Sequence, residues 1–424
     1  MTKRRKRPNL FGWTLFGLIV LFGYYFNQIY LPSQPNPFEA TPTVTRSPES
    51  FVTEAESLFK DGKLSQAIDD YQSAINASPQ NPALYIAIAR IQVWAGKYED
   101  AQANAENAIL LSPDNSMAHA VRAWALDFRG KNTDAMEEIT KALELDPNNA
   151  IAHAYRVEIL IDAGLDNLEK AIEASRTALG LDPNALETRR ARGYIFEVTG
   201  QYEEAVQFYK SALEINPNIA ILHIELGRNL RFMGVYDEAI DEFTKANTLN
   251  PADPEPERLI SRTYATEGEY AKALQYAKAA VEDKPTDASL HGNYGVMFFR
   301  NFQYQDALNE LSLAINGGKA ENGLPITGLP LSNDLRVAEY YYTYGLALAR
   351  LNQCGEALPL AQKLQSMFSS DDPVQQATDA INQICEENLK NPVTDTPVPL
   401  TAEGTTGAET TVPETATPAP TTTP

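Results

Sequence analysis

Soft and nitrogen-bearing metal ligands are scarce in this chain, with four histidines and two cysteines among 424 residues. A zinc site draws its ligands from closely spaced Cys and His with occasional carboxylates. No such spacing occurs, so no metal is expected. A G-x-S-x-G elbow, a phosphate-cradling P-loop and a dinucleotide fingerprint are equally missing. Carboxylate pairs abound, but an acidic helical surface generates those without any chemistry. The expectation is a protein with no catalytic residues, no cofactor and no enzymatic activity. Positive charge is also in deficit: 35 Lys and Arg face 56 Asp and Glu, a net charge of -21. Five of the 35 sit within the first seven residues, which leaves 30 against 56, or -26, for everything after them. Non-specific nucleic-acid binding needs basic surface to displace phosphate counterions, so no nucleic-acid partner is expected.

Charge is missing altogether from residues 10–31, LFGWTLFGLIVLFGYYFNQIYL. As a helix this run would measure about 33 Å, against a hydrocarbon core of roughly 30 Å. Trp13 at one end and Tyr24, Tyr25 and Tyr30 at the other suit the two aromatic interface belts. KRRKR precedes the run, and no Lys or Arg follows it before Arg46. The positive-inside rule then predicts a single-pass cell-membrane protein with residues 1–9 in the cytoplasm and the body outside. A cleaved signal peptide is the competing reading; the length of the run and the lack of a small-x-small site argue against it. Residues 32–47, rich in Pro and Thr, read as an extended spacer. Residues 391–424, nearly all Thr, Pro, Ala, Gly, Val and Glu, read as a disordered tail.

Between these ends the chain repeats itself. Pro79, Pro113, Pro147, Pro183, Pro217, Pro251 and Pro285 recur at intervals of 34, 34, 36, 34, 34 and 34 residues. With each Pro numbered 32 in its unit, position 20 is Ala67, Ala101, Ala135, Ala205, Ala239, Ala273 and Ala307. Position 15 is Gly in seven units, and position 17 is Tyr in Tyr98, Tyr202, Tyr236, Tyr270 and Tyr304. Gly permits the turn between two helices, a methyl-sized residue lets those helices approach, and Pro ends the second one. An Asn or Asp after the Pro can cap the next helix. This pattern resembles the tetratricopeptide repeat superfamily. The clearest units carry Gly193, Gly200, Tyr202, Ala205, Tyr209, Ala212 and Pro217, then Gly227, Gly234, Tyr236, Ala239, Phe243, Ala246 and Pro251. The resemblance implies an all-α, right-handed solenoid of about nine helix-turn-helix units over 48–390, closed by a capping helix at 374–390. Two extra residues in GLDNLEKA predict a longer turn before Leu168. Phe302 stands where a turn Gly belongs, and a long loop at 316–334 precedes a degenerate ninth unit.

His119, His153, His223 and His291 all occupy position 4, which reads as structural packing. Copies one helix pair apart are too distant to share one metal ion. Continuing the repeat phase puts Cys354 and Cys385 at the same end of neighbouring layers, where a disulfide would staple the cap; two unpaired thiols are the other reading. In the superfamily, positions 2, 5, 9, 12 and 13 face the concave side, and their spacing puts most of them on one helix face. Here they include an aromatic zone of Phe59, Trp94, Trp124 and Phe128, together with Arg90, Arg190 and Tyr194. In units six to eight a basic zone of Arg228, Arg231, Phe232, Arg258, Arg262, Phe299 and Arg300 is opposed on those positions only by Glu255. The resemblance implies a scaffold that holds a protein or peptide partner in this groove. The Arg residues would take acidic segments and the aromatics would grip apolar side chains. Pairing of these Arg with nearby Glu is the bland reading. A receptor for acidic cell-envelope polymer and a passive tether are the competing functions. Of the five-residue carboxylate clamp found in some members, only Asn293 has a counterpart, so that activity is not carried over.

Overall fold

The structure, a computed structural model, describes residues 10–30 and 46–390. The basic N-terminus 1–9, nearly all of the spacer and the tail 391–424 lie outside the described residues. The apolar run forms an α-helix over Leu10–Tyr25, 16 residues long, which continues as a π-helical turn at Phe26–Tyr30. Among the described residues no helix is long and apolar enough to cross a membrane, where about 20 residues are needed. The α-helical part thus ends at Tyr25, short of the 10–31 span that the sequence suggests. Its side chains from Leu15 to Phe26 are nonetheless solvent-exposed, Phe22 by 69%.

The repeat chain forms two compact units, divided between Lys284 and Pro285. The first holds seven helix pairs: Pro48–Lys60 with Leu64–Ala77, Pro82–Trp94 with Tyr98–Leu111, Ser116–Phe128 with Asn132–Leu145, Ala150–Asp162 with Leu168–Leu181, Leu186–Val198 with Tyr202–Ile215, Ala220–Phe232 with Tyr236–Leu249, and Glu255–Thr266 with Tyr270–Asp283. Asn81, Asn115 and Asn149 each accept a backbone N–H at the start of the following helix, at 3.0–3.1 Å. The turn glycines Gly96, Gly130 and Gly200 have φ of 71°, 69° and 73°, while Gly164, before the inserted residues, has φ of 126°. The inserted residues before Leu168 make a single 3-10 turn, Leu165–Asn167.

Close packing within each pair rests on the small residue at position 20. Ala67, Ala101, Ala135, Ala205, Ala239 and Ala273 are all fully buried. In the best-matched pairs a second contact locks the helices together. A Cβ on Gly227 would lie 2.7 Å from the Phe243 ring, and one on Gly193 would lie 3.0 Å from the Tyr209 ring. Three of the four histidines tie the two helices of their own pair together and to the turn that leads into it. Nε2 of His119 and His223 faces the carbonyl of Pro113 and Pro217 at 2.9 and 2.8 Å, while Nδ1 faces Glu138 and Glu242 at 2.7 and 2.5 Å. Among the described residues no group of His, Cys, Asp and Glu is arranged to hold a metal ion.

The first unit does not stay open along its length. Nδ2 of Asn216 donates to the Phe59 carbonyl at 3.2 Å, and Nδ2 of Asn218 donates to the Lys60 carbonyl at 2.8 Å. The first pair is therefore seated against the turn between the fifth and sixth, more than 150 residues along the chain. Small rotations between successive pairs accumulate, and here they bring the inner faces of early and late pairs into contact.

The second unit holds Ala288–Arg300 with Tyr304–Asn316, Leu335–Arg350 with Cys354–Met367, and the terminal helix Asp372–Lys390. Its turns depart from the repeat pattern, since Phe302 and Asn352 adopt φ of 62° and 61° where glycine is favoured. His291 repeats the bridge, with Glu310 at 2.6 Å and the Pro285 carbonyl at 3.0 Å. Burial opposes its charge, but these two bonds outweigh burial and hold its pKa above the ordinary value. The 316–334 loop is folded rather than loose. Gly318–Lys319 pairs antiparallel with Pro325–Ile326, and Ala320 and Ile326 are buried against Ala288. Cys354 and Cys385 form a disulfide with Cα atoms 5.6 Å apart, tying the terminal helix to its neighbour. Closing that 31-residue loop contributes about 3–4 kcal/mol in the chain-entropy account.

Gly227→Ala should destabilise the protein by about 1–3 kcal/mol through overpacking against Phe243. Gly180→Ala, whose added methyl meets nothing within 4 Å, should leave stability unchanged or raise it by roughly 0.4–1 kcal/mol. Thermal unfolding followed by circular dichroism separates the two, and equal behaviour would contradict the packing described.

Candidate functional site

The inner face of the first unit is organised around Arg190, which is 6% exposed. Its Nε and Nη2 donate to Glu225 at 2.9 and 2.6 Å, and Nη2 also reaches Glu158 at 2.6 Å. The second oxygen of Glu158 accepts the Trp124 indole N–H at 2.7 Å. Trp124 stacks on Tyr155 with centroids 4.2 Å apart and meets Trp94 edge-on at 4.9 Å. The Arg190 guanidinium lies 5.5 Å from the Trp94 ring centre. Arg90 pairs with Glu187 of the fifth pair, a second link between early and late helices. Burial works against the charge of Arg190, and the two carboxylates overcome it, so its pKa is held above the ordinary guanidinium value. Glu225 is pushed up to about 7 by burial, with Arg190 opposing.

Beside this clasp lies a cavity of about 350 Å³. Its aromatic walls are Trp94, Tyr98, Phe128 and Tyr194, and Tyr98 and Phe128 stack in parallel at 4.8 Å. Six carboxylates line it (Asp127, Glu158, Asp162, Glu225, Asp253 and Glu255) against two cations, Arg190 and Arg228. Those cations are committed elsewhere: Arg190 to Glu158 and Glu225, and Arg228 to Glu197 at 2.6 Å. Glu255 is held by Arg258 at 2.5 Å. Asp162 receives the Tyr194 hydroxyl at 3.4 Å, and Asp253 the backbone N–H of Glu255 at 3.0 Å, with Lys284 and Arg258 nearby. Asp127 is 5% exposed, and its Oδ1 is buried without a hydrogen-bond partner. Burial, reinforced by the charges of Glu158 and Asp162, pushes Asp127 up to about 8. Burial also raises Asp162 and Asp253. The free electrostatic character of the cavity is therefore acidic.

The groove residues read from sequence separate into several settings. Trp94, Phe128, Arg190, Tyr194 and Arg228 line the cavity together. Trp124 is buried behind it, only 1% exposed, and spends its one polar atom on Glu158. Phe59 and Arg90 border a smaller hollow with Tyr71 and Trp94. Arg258 is buried on Glu255, Arg262 is half-buried on the same helix, and the Arg231 guanidinium lies 5.5 Å from the ring of exposed Phe232. In the second unit Phe299 packs on Tyr304 and exposed Arg300 approaches Glu339 at 4.0 Å. The basic zone is thus largely matched by acids in its own surroundings. Those acids were legible: Glu187, Glu158, Asp127 and Asp162 stand at positions 2, 9, 12 and 13, on the face already singled out. Glu225, at position 6, gave no such signal.

Stacked helix pairs with a packed inner face define an α-solenoid. The chain belongs to the tetratricopeptide repeat family, whose sequence models match residues 58–125, 118–149, 156–218, 224–288 and 258–320. Members of this family generally bind protein partners. Among solved structures, the fold is similar to a chain of the APC/C hetero-tetramer Cut9–Hcn1, at 15% identity and a TM-score of 0.60 over 76% of this chain. The match spans 59% of that longer chain. A tetratricopeptide repeat protein from Parabacteroides merdae ATCC 43184 aligns at 18% identity and a TM-score of 0.40, over 59% of this chain and 98% of its own. No curated protein sequence matches the chain.

Asp127 gives the first unit a pH signature. Its folded pKa of about 8 stands above the ordinary 3.8, so the stability associated with it is complete below the lower value and is lost as pH rises through the higher. Asp127→Asn should therefore flatten the decline in thermal midpoint across that window. An unchanged profile would mean that Asp127 is not held in this state.

Proposed function

We propose that the protein is a membrane-anchored, non-enzymatic scaffold that receives a protein or peptide partner at the inner face of its first unit. The observation that carries this reading is the cavity itself. It is bounded by first helices of successive pairs, walled by aromatic rings, and open to solvent past the exposed Gly96 and Asp162. A surface preformed by packed helices spares the ordering cost of association. The exposed apolar side chains of Leu15–Phe26, flanked by the basic N-terminus, support anchoring of this segment in a bilayer. A disulfide in the second unit suits a body outside the cytoplasm. Capture of an acidic partner or polymer by the Arg residues finds little support, because Arg228 and Arg258 are matched by Glu197 and Glu255.

Affinity capture from an envelope extract with the detergent-solubilised chain should retain a protease-sensitive partner. Retention should fall roughly ten-fold when Tyr194→Ala removes an aromatic wall, with helicity by circular dichroism unchanged. Equal retention by the two would reject docking at this face and leave a passive tether. Protease added outside intact cells or spheroplasts should degrade the repeat body. Complete protection would reverse the topology.

A further inference from the structure

We propose that the cavity beside Arg190 is a binding site for an organic cation, a guanidinium or primary ammonium group that pairs with Asp127 between the faces of Trp94, Phe128 and Tyr194. Three observations converge on this. Asp127 is nine-tenths buried with an unpartnered oxygen, in a cavity it lines. Burial keeps Asp127 protonated up to about pH 8, and an incoming cation supplies the partner that its ionised form lacks, displacing that proton. Asp162 and Asp253 line the same cavity, Asp162 beside the Tyr194 hydroxyl and Asp253 near Lys284 and Arg258, and the six carboxylates of the lining outnumber its two cations, Arg190 and Arg228. Aromatic faces attract cations through their quadrupole, and Arg190 already shows this geometry on the other side, 5.5 Å from the Trp94 ring centre. Arg190 cannot serve Asp127 as well, since Glu158 and Glu225 fix its guanidinium.

The size fits one side chain or one small molecule. A cavity of about 350 Å³ stands at the small end of the ~300–1,000 Å³ typical of ligand sites. The chemistry is shared by a free alkylguanidinium or alkylammonium and by an arginine or lysine side chain of a partner segment. The peptide form deepens, and rests on, the reading of this face as a docking surface; the free form does not need it.

Titration calorimetry on the detergent-solubilised full chain tests the site with n-butylguanidinium, its neutral isostere n-butylurea, and an acetyl-Gly-Arg-Gly-amide peptide beside its citrulline counterpart. Binding of the cationic probes and not the neutral ones is expected. Asp127→Asn should weaken it roughly ten- to a hundred-fold, and Asp253→Asn at the rim should weaken it less. The second variant keeps the test decisive if the first folds poorly. Tighter binding of the Arg peptide than of butylguanidinium assigns the site to a partner's side chain, and equal binding assigns it to a free small cation. Absence of heat from both cations, equal binding of butylurea, or indifference to both substitutions overturns the proposal. Loss of envelope capture with butylguanidinium binding intact would remove the scaffold reading alone. The reverse outcome would remove only the cation site.

Discussion

One guanidinium governs the first unit. Arg190 sits between Glu158 of the preceding pair and Glu225 of the following one, and Glu158 is held in turn by the Trp124 indole. Three successive layers are therefore joined through charge on their inner edge as well as through apolar contact. Removing one member of a buried ion-pair group leaves the others unmatched, at a cost of about 3–5 kcal/mol. Replacing all of them by well-packed apolar groups is often neutral. Such a group is consequently better understood as fixing which faces meet than as adding net stability. It orients the Trp94 and Trp124 rings and occupies Arg190, one of the two cations lining the cavity, while Glu197 holds the other, Arg228. The acidic balance of that cavity follows directly.

The outer framework obeys a simpler rule. Each pair is joined by small-residue contacts such as Gly227 on Phe243, and histidines such as His223 add a bridge from the first helix to a glutamate of the second and to the proline carbonyl of the leading turn. These contacts recur at the repeat period, because the same sequence offsets generate the same geometry in each layer. Departures mark the second unit, where Phe302 and Asn352 hold positive φ in their turns and the folded loop replaces a tight turn.

That division explains what could be read from the chain. Periodic Pro, Gly and Ala encode local geometry, so the helix pairs, their turns and the extra 3-10 turn before Leu168 follow from spacing alone. The inner face was also legible by position. What spacing does not encode is the sum of small rotations that brings Arg90 to Glu187 and Phe59 to Asn216, contacts 97 and 157 residues apart. Without those contacts in view, Arg residues on inner positions look like a free cationic surface. With them, Arg190 and Arg228 are consumed by acids, and Asp127 is the group left without a partner. The apolar run at 10–31 showed its composition plainly, but its change of helical register at Phe26 has no signature that composition reveals.

Seating of the first pair on Asn216 and Asn218 has a thermodynamic corollary. In an ordinary linear array each layer depends only on its neighbours, so terminal layers fray independently and lengthening or trimming changes stability in increments. Here the leading layer is bonded to the fifth and sixth. Its loss strips backbone partners and apolar cover from the middle of the array at once, which couples melting at the edge to melting at the centre. Cooperativity in this unit thus comes from chain closure, and its leading end is not expendable.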